Sequence, residues 1–322
     1  MKLATQNNGT RDGQLIVVNR QLTRYLPAPY PTLQSALDDW QQATGPLQAC
    51  YAQLSDDSAG QVLDLKQLLA PLPRAYQWLD GSAYLNHVEL VRKARGAEMP
   101  LEFLNDPLMY QGGSDTMLAW HDDIAFATEE IGIDCEAEVV VVTDDVAKSC
   151  DSTHAGKHIQ LIGIVNDISL RNLIPAELAK GFGFLQSKPP TAFAPVLVTP
   201  DELTEYWHDD KLHLAMNTSI NGKWFGSPNC GSDMQFNFAT LIAHAATTRP
   251  LAAGTIIGSG TISNKDRTKG FSCIAELRMI ETIEQGKPTS NFLRFGDTVK
   301  IEIVDKQNQS IFGAIEQQVI KA

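Results

Sequence analysis

In Ile131-Gly-Ile-Asp134-Cys-Glu136-Ala-Glu138-Val-Val-Val-Val142, two glutamates one residue apart run into four consecutive valines. A β-branched run of this kind favours a strand. Side chains alternate along a strand, so Asp134, Glu136 and Glu138 share one face and Cys135, Ala137, Val139 and Val141 the other. Carboxylates stacked beside strongly apolar sequence repel one another. Either water screens them on a solvated edge strand, or a cation binds them.

Further acids lie on either side. Downstream, the apolar run Ile159-Gln-Leu-Ile-Gly-Ile-Val ends in Asn166-Asp167-Ile-Ser169-Leu-Arg171, which puts a carboxylate at a strand exit. Hard divalent cations take oxygen ligands, often from several segments, and Asp167 suits that role; a helix N-cap is the alternative. Upstream, Tyr76-Gln-Trp-Leu-Asp80-Gly81-Ser82-Ala-Tyr84-Leu-Asn-His87 places Asp80 before a glycine and an expected helix over Leu85–Arg95. Asp80 reads as a ligand or as a cap or turn residue. His87, about two turns into that helix, reads as a catalytic histidine or as an ordinary surface or satisfied core one.

The 322 residues include 26 basic and 38 acidic side chains, a net charge of −12, with 43% apolar residues. This acidic balance argues against a nucleic-acid binder, which needs a basic face. No stretch approaches the roughly 20 apolar residues of a membrane span, and Met1–Gln14 lacks a signal-peptide core. Cys50, Cys135, Cys150, Cys230 and Cys273 are scattered with no CxxC, as expected of free thiols in a cytoplasmic protein.

Residues 1–30 predict short strands around the turn signals Asn8-Gly9 and Asp12-Gly13. Thr32 predicts a helix carrying Leu33, Ala36, Leu37 and Trp40, followed by a second over Leu47–Leu54. Pro71 and Pro73 place a boundary that separates a small N-terminal α/β unit, 1–74, from a larger one, 75–322. In the larger unit strands are expected at Glu138–Thr143, Ile159–Val165, Val196–Thr199, Thr255–Gly258, Val299–Val304 and Ser310–Ile315. Helices are expected at Pro175–Lys180 and Phe238–Thr247. The pattern is mainly β with some α, without βαβ alternation.

Taken together these residues resemble the fumarylacetoacetate hydrolase family over roughly residues 76–322. Glu136-x-Glu138 followed by Asn166-Asp167-x-Ser169-x-Arg171 is similar to the family's metal core. Ser187-Lys188-Pro-Pro-Thr191 is similar to its K-S-x-x-T segment, and Gly258-Ser-Gly260-Thr261 to its late G-T loop. Asp80 with His87 seven residues on, Glu276 some fifteen past the G-T loop, and Tyr110 in Pro107-Leu-Met-Tyr110-Gln-Gly112 resemble true fumarylacetoacetases. Three positions depart. Ser82 stands where the family has a tyrosine, although Tyr84 is close. Ile174 stands where fumarylacetoacetases keep a substrate-binding glutamine. Arg95 matches the arginine beyond the histidine only approximately.

The resemblance implies a mixed β-roll of the fumarylacetoacetase C-terminal type behind a small α/β N-terminal domain, and a homodimer. It implies Mg²⁺, Ca²⁺ or Mn²⁺ held by Asp80, Glu136, Glu138 and Asp167, the ion serving as a Lewis acid. His87 is then the general base, Glu276 orients it, and Lys188, with Arg171 behind it, offsets the excess negative charge. Tyr110, Arg95, Thr261 and Tyr84 contact the substrate, and Thr191 supports the site. The implied reaction is hydrolysis of a carbon–carbon bond in a small anionic β-diketo acid. Fumarylacetoacetate, cleaved to fumarate and acetoacetate in tyrosine breakdown, comes first. An acylpyruvate such as fumarylpyruvate is the alternative, with an oxaloacetate-type decarboxylase third.

Other constellations carry less. His154 and His158 have a helical zinc-ligand spacing but no acidic third ligand in sequence. Gly258-Ser-Gly260 lacks the third glycine of a dinucleotide loop. His121-Asp-Asp123 and His208-Asp-Asp210 read as solvated turns.

Overall fold

In the computed structural model, which describes residues 1–56, 58–94 and 98–322, the valine run forms the strand Ala137–Thr143, buried along its whole length. Val139 and Val141 pack into one apolar cluster with Ile162 and Ile164. Val140 and Val142 pack into another with Leu161 and Val165. A strand covered on both faces explains why apolar residues run consecutively here instead of alternating. Burying each such side chain contributes about 1.5–3 kcal/mol before entropy is counted.

Among the described residues, eleven strands form the sheet around it. Ala137–Thr143 lies between Ile159–Asn166 and Ile256–Gly258, antiparallel to both. Ile256–Gly258 pairs in parallel with Trp78–Gly81, which pairs antiparallel with Met109–Gly112. On the other side, Ile159–Asn166 pairs with Leu197–Val198, and that strand with Lys2–Gln6. The N-terminal strands Gln14–Val18, Arg24–Pro27 and Gln61–Val62 complete that edge, so the first residues of the chain extend the same sheet. A five-stranded sheet, ordered Lys223–Gly226, Asn217–Ile220, Thr298–Glu302, Ile315–Lys321 and Ile124–Phe126, supplies the rest of the β structure apart from two short pairs. The mainly β class with some α is thereby shown.

Local outcomes differ from expectation at several places. Thr32 caps the helix Leu33–Leu37 with a full capping box, but Trp40 opens a second, longer helix, Trp40–Gln53, that includes the span expected to begin at Leu47. The helix at 238 ends at Ala245, and that at 174 covers Ile174–Leu178. The last strand is Ile315–Lys321 instead of Ser310–Ile315. The helix Ile274–Gln285 and the hairpin turning at Asn221-Gly222 were not anticipated. Among the described residues the five cysteines are unpaired, and no helix is long and apolar enough to cross a membrane.

Candidate active site

Three sheet strands deliver carboxylates to one place. Trp78, Val140 and Val165 belong to the same apolar cluster. Two residues along each chain from them stand Asp80, Glu138 and Asp167, so alternation brings the acids to the face those apolar residues occupy. There each offers an oxygen within 4.8 Å of the others. Asp80 is 6% exposed, Glu138 0% and Asp167 1%. This overturns the solvated edge strand as an explanation of the Glu136/Glu138 pair. It also removes the turn reading of Asp80, which lies inside the strand Trp78–Gly81, and the N-cap reading of Asp167, which leads into the short strand Ser169–Leu170.

The surroundings of the three acids are unequal. Asp167 Oδ1 accepts from Thr191 Oγ1 at 2.5 Å; Oδ2 accepts from Tyr110 at 2.5 Å and from Lys188 Nζ at 2.6 Å. Asp80 Oδ1 accepts from the Gly260 amide at 3.0 Å. Gly260 has φ +73°, and a Cβ there would stand 2.2 Å from the Gly81 carbonyl, so only glycine permits this approach. Both oxygens of Glu138 are buried without a hydrogen-bond partner among the described residues. An orphaned carboxylate beside two others is a costly arrangement unless a cation joins it. The oxygen-only donor set and its burial fit a hard divalent ion.

Electrostatics agree with that reading. Burial, and then the charge of Asp167, push Asp80 up to about 8. Burial, and then Asp80 and Asp167, push Glu138 well above the usual carboxylate range. With no cation, burial and mutual repulsion favour the protonated forms of these two acids. Glu136 behaves in the opposite way. Burial disfavours its charge, but Arg171 and Lys188 outweigh burial and hold it well below the ordinary value. Its Oε2 accepts from Lys188 Nζ at 2.8 Å, and its Oε1 is paired with Arg171. Glu136, expected among the ligands, lines the same chamber with its two oxygens paired to Lys188 and Arg171, while the three acids whose oxygens converge within 4.8 Å are Asp80, Glu138 and Asp167. Lys188, 7% exposed at its side chain, bridges Glu136 and Asp167.

Asn166 explains how the two acidic segments are registered. Its Oδ1 accepts from the Glu136 amide at 3.0 Å, and its Nδ2 donates to Gln317. Asp134, placed by parity on the acidic face, plays a structural part. It accepts from the amides of Ile274 and Ala275 at 2.8 and 2.9 Å and from Arg171 Nε at 2.9 Å. A carboxylate at a helix N-terminus satisfies orphan amides and favours the helix dipole. It thereby anchors the helix that carries Glu276.

His87 sits in the first turn of the helix Leu85–Ala94, not two turns in. Its Nδ1 is 3.1 Å from Glu276 Oε2. The other Glu276 oxygen accepts from Ser263 Oγ at 3.0 Å, and Ser263 Oγ accepts from Asn86 Nδ2 at 2.7 Å. This relay fixes the ring orientation and leaves Nε2 without a partner among the described residues. Ser263 was not anticipated; it lies two residues past Thr261, with only its polarity in a buried loop as a signal.

His87, Asp80, Tyr110, Lys188 and Thr261 line one chamber of about 150 Å³. Phe184, also unanticipated, closes one side by meeting the Tyr110 ring edge-on at 5.1 Å. Tyr84 lines the chamber with its ring, but its hydroxyl donates to the Cys230 carbonyl and is not free for a ligand. Arg95 lies outside the described residues. His154 and His158 bond to different acids, Asp151 and Asp144, and do not come together.

Residues 77–320 match the family described as fumarylacetoacetate (FAA) hydrolase C-terminal, and residues 1–74 match fumarylacetoacetase N-terminal domain 2. The chain belongs to the fumarylacetoacetate hydrolase family, whose members are enzymes. It is 29% identical over 243 residues to the oxaloacetate tautomerase YisK of Bacillus subtilis (strain 168), covering 74% of this chain and 69% of that one. Among solved structures it resembles a maleylpyruvate hydrolase of Sphingobium sp. SYK-6 in complex with manganese(II) and pyruvate (TM-score 0.65, 15% identity, both chains fully covered). It also resembles the 5-carboxymethyl-2-hydroxymuconate delta-isomerase of Mycobacterium smegmatis (TM-score 0.63, 15% identity, covering 100% and 99%). At these identities the structures establish the fold.

Proposed function

We propose that this protein hydrolyses a carbon–carbon bond in a β-diketo acid with the help of a divalent cation, fumarylacetoacetate being the first substrate to test. The observation that carries the reading is the pairing of two features: three converging buried carboxylates, of which Glu138 has no hydrogen-bond partner among the described residues and Asp80 lines the chamber, and a chamber histidine whose Nδ1 is held by a buried glutamate. Isomerising or tautomerising a diketo acid moves protons only. Hydrolysis also needs a base for water, which the His87–Glu276 pair supplies.

Asp80, Glu138 and Asp167 would hold the cation, which would supply Lewis acidity. Glu276 keeps the His87 proton on Nδ1 and stabilises the ring when it becomes charged. His87 Nε2 takes a proton from water as the water oxygen adds to the acyl carbonyl carbon. Lys188 stabilises the oxyanion that develops there. The bond from that carbon to the neighbouring methylene then breaks, its electrons pass to the departing enolate, and the proton on His87 is delivered to the former methylene carbon of that enolate. The water oxygen ends in the new carboxylate.

The comparison with manganese(II) in the Sphingobium hydrolase supports a divalent ion without selecting one. The second reading, an acylpyruvate hydrolase, is favoured by Ile174, which lines the chamber where fumarylacetoacetases keep a glutamine. Product analysis separates these readings. Incubated in ¹⁸O-water, fumarylacetoacetate yields fumarate carrying one label and unlabelled acetoacetate in equal amounts. Release of CO₂, or isomerisation without cleavage, contradicts hydrolysis; faster cleavage of fumarylpyruvate favours the second reading.

Cation binding displaces protons from Asp80 and Glu138 wherever their raised carboxyls carry them. Below about pH 8, where Asp80 is protonated, the apparent Mg²⁺ affinity rises about tenfold per pH unit for each proton displaced. Calorimetry in two buffers of different ionisation enthalpy should show net proton release at pH 7. No release would contradict the assignment of these acids as ligands.

A further inference from the structure

A second, larger cavity of about 600 Å³ opens beside the catalytic chamber and shares Ser82, His87, Arg171, Ile174 and Phe184 with it. Its wall is largely apolar, with Val88, Val91, Leu108 and Met279 contributing. Besides Arg171, two further arginines stand in that wall. Arg278 lies on the helix that carries Glu276, and Arg92 on the helix that carries His87.

Both are pre-positioned in the same way. The Arg278 guanidinium lies 4.3 Å over the Phe292 ring and donates to the Ser290 carbonyl. The loop that supplies these partners is pinned to the same helix, because Glu281 accepts from the Thr289 and Ser290 amides at 2.7 and 2.8 Å. The Arg92 guanidinium lies 5.5 Å over Phe103, and its Nε donates to the Glu98 carbonyl at 2.7 Å. Stacking and one carbonyl leave most of each guanidinium's donors unspent. Neither arginine pairs with a carboxylate among the described residues, unlike Arg171 between the two chambers. Ile174 at the junction offers a substrate no polar contact. An anion on the substrate's tail therefore has to be met farther along, in the larger cavity.

We propose that this cavity receives the acyl tail of the substrate and that Arg278, with Arg92 beside it, binds a carboxylate at the tail's far end. The enzyme then selects dicarboxylic β-diketo acids over those with neutral tails. The inference rests on the β-diketo acid reading above and adds to it the recognition of the second carboxylate.

The test compares fumarylacetoacetate with its monoester at the fumaryl end, in Mg²⁺, on the wild type and on Arg278→Gln. The wild type should show a KM about tenfold to a hundredfold lower for the acid than for the ester, at similar kcat, the range expected for a hydrogen-bonded charge contact. Arg278→Gln should erase that preference while leaving the ester's KM in place. Equal KM values on the wild type overturn the proposal and leave the hydrolase reading standing; this comparison needs no variant to fold. If neither compound is cleaved, the hydrolase reading fails, and calorimetric titration with fumarate alone decides the subsite. Binding that Arg278→Gln weakens tenfold or more supports it, and absent or unchanged binding overturns it.

Discussion

Replacing His87 by alanine should lower kcat on fumarylacetoacetate by about 10²–10⁴, the usual contribution of a positioned acid–base group. KM and Mg²⁺ affinity should change little, because His87 is not among the three converging carboxylates. The His87–Glu276 contact is partly buried and its far end is held by Ser263, so the ring has a defined orientation before substrate arrives. Glu276→Gln should keep the contact and lose the negative charge, giving an intermediate loss in kcat and a changed pH profile. Steady-state kinetics with calorimetric metal titration check both variants. Full activity in His87→Ala would remove the base from the mechanism.

Glu138→Gln should have two large effects of opposite sign. Metal affinity should fall below detection, since one of three converging oxygen donors is lost. The metal-free protein should become more thermally stable than the metal-free wild type. The sign follows from linkage. The Glu138 carboxyl is pushed up in the folded protein, chiefly by burial, so the folded state binds more protons than the unfolded one above the ordinary glutamate range. Stability contributed by its proton is therefore lost as pH rises through that window. An amide has the shape of the protonated acid and does not ionise. The gap in Tm between variant and wild type should widen as pH rises, and thermal unfolding with chelator at pH 5 and pH 8 measures it. A variant less stable at pH 8 would mean that Glu138 is satisfied by contacts other than a cation.

Much of this site was legible because strand alternation is strict. Glu136 and Glu138 precede a valine run whose two faces are both buried, and parity alone sets Glu138 on the face of Val140 and Val142. What parity could not show is which acid meets which partner. Asp134 and Glu136 have the same parity as Glu138, but Arg171, Lys188 and a helix terminus more than a hundred residues downstream claim them. Asp80 was ambiguous because Gly81 reads as a turn. Its true reason is close packing: a Cβ there would meet Leu241 at 3.0 Å and the Gly258 carbonyl at 3.2 Å.

Two local signals were present and missed. Asn221-Gly222, both at positive φ (53° and 70°), is a hairpin turn between two strands. Gly286, at φ 80°, ends the helix Ile274–Gln285, whose buried Ile274, Ala275 and Ile280 mark one face. The relay from Glu276 to Ser263 and Asn86 joins segments distant in sequence and had no local signature.

Cation-dependent cleavage at one chamber is tested most directly by the near-ultraviolet absorbance of enolised fumarylacetoacetate. With Mg²⁺ the absorbance should fall rapidly on adding the protein. It should stop falling with excess chelator, and resume when Mg²⁺ is restored. Loss that is indifferent to chelator, or no loss with Mg²⁺, Mn²⁺ or Ca²⁺, would contradict the account.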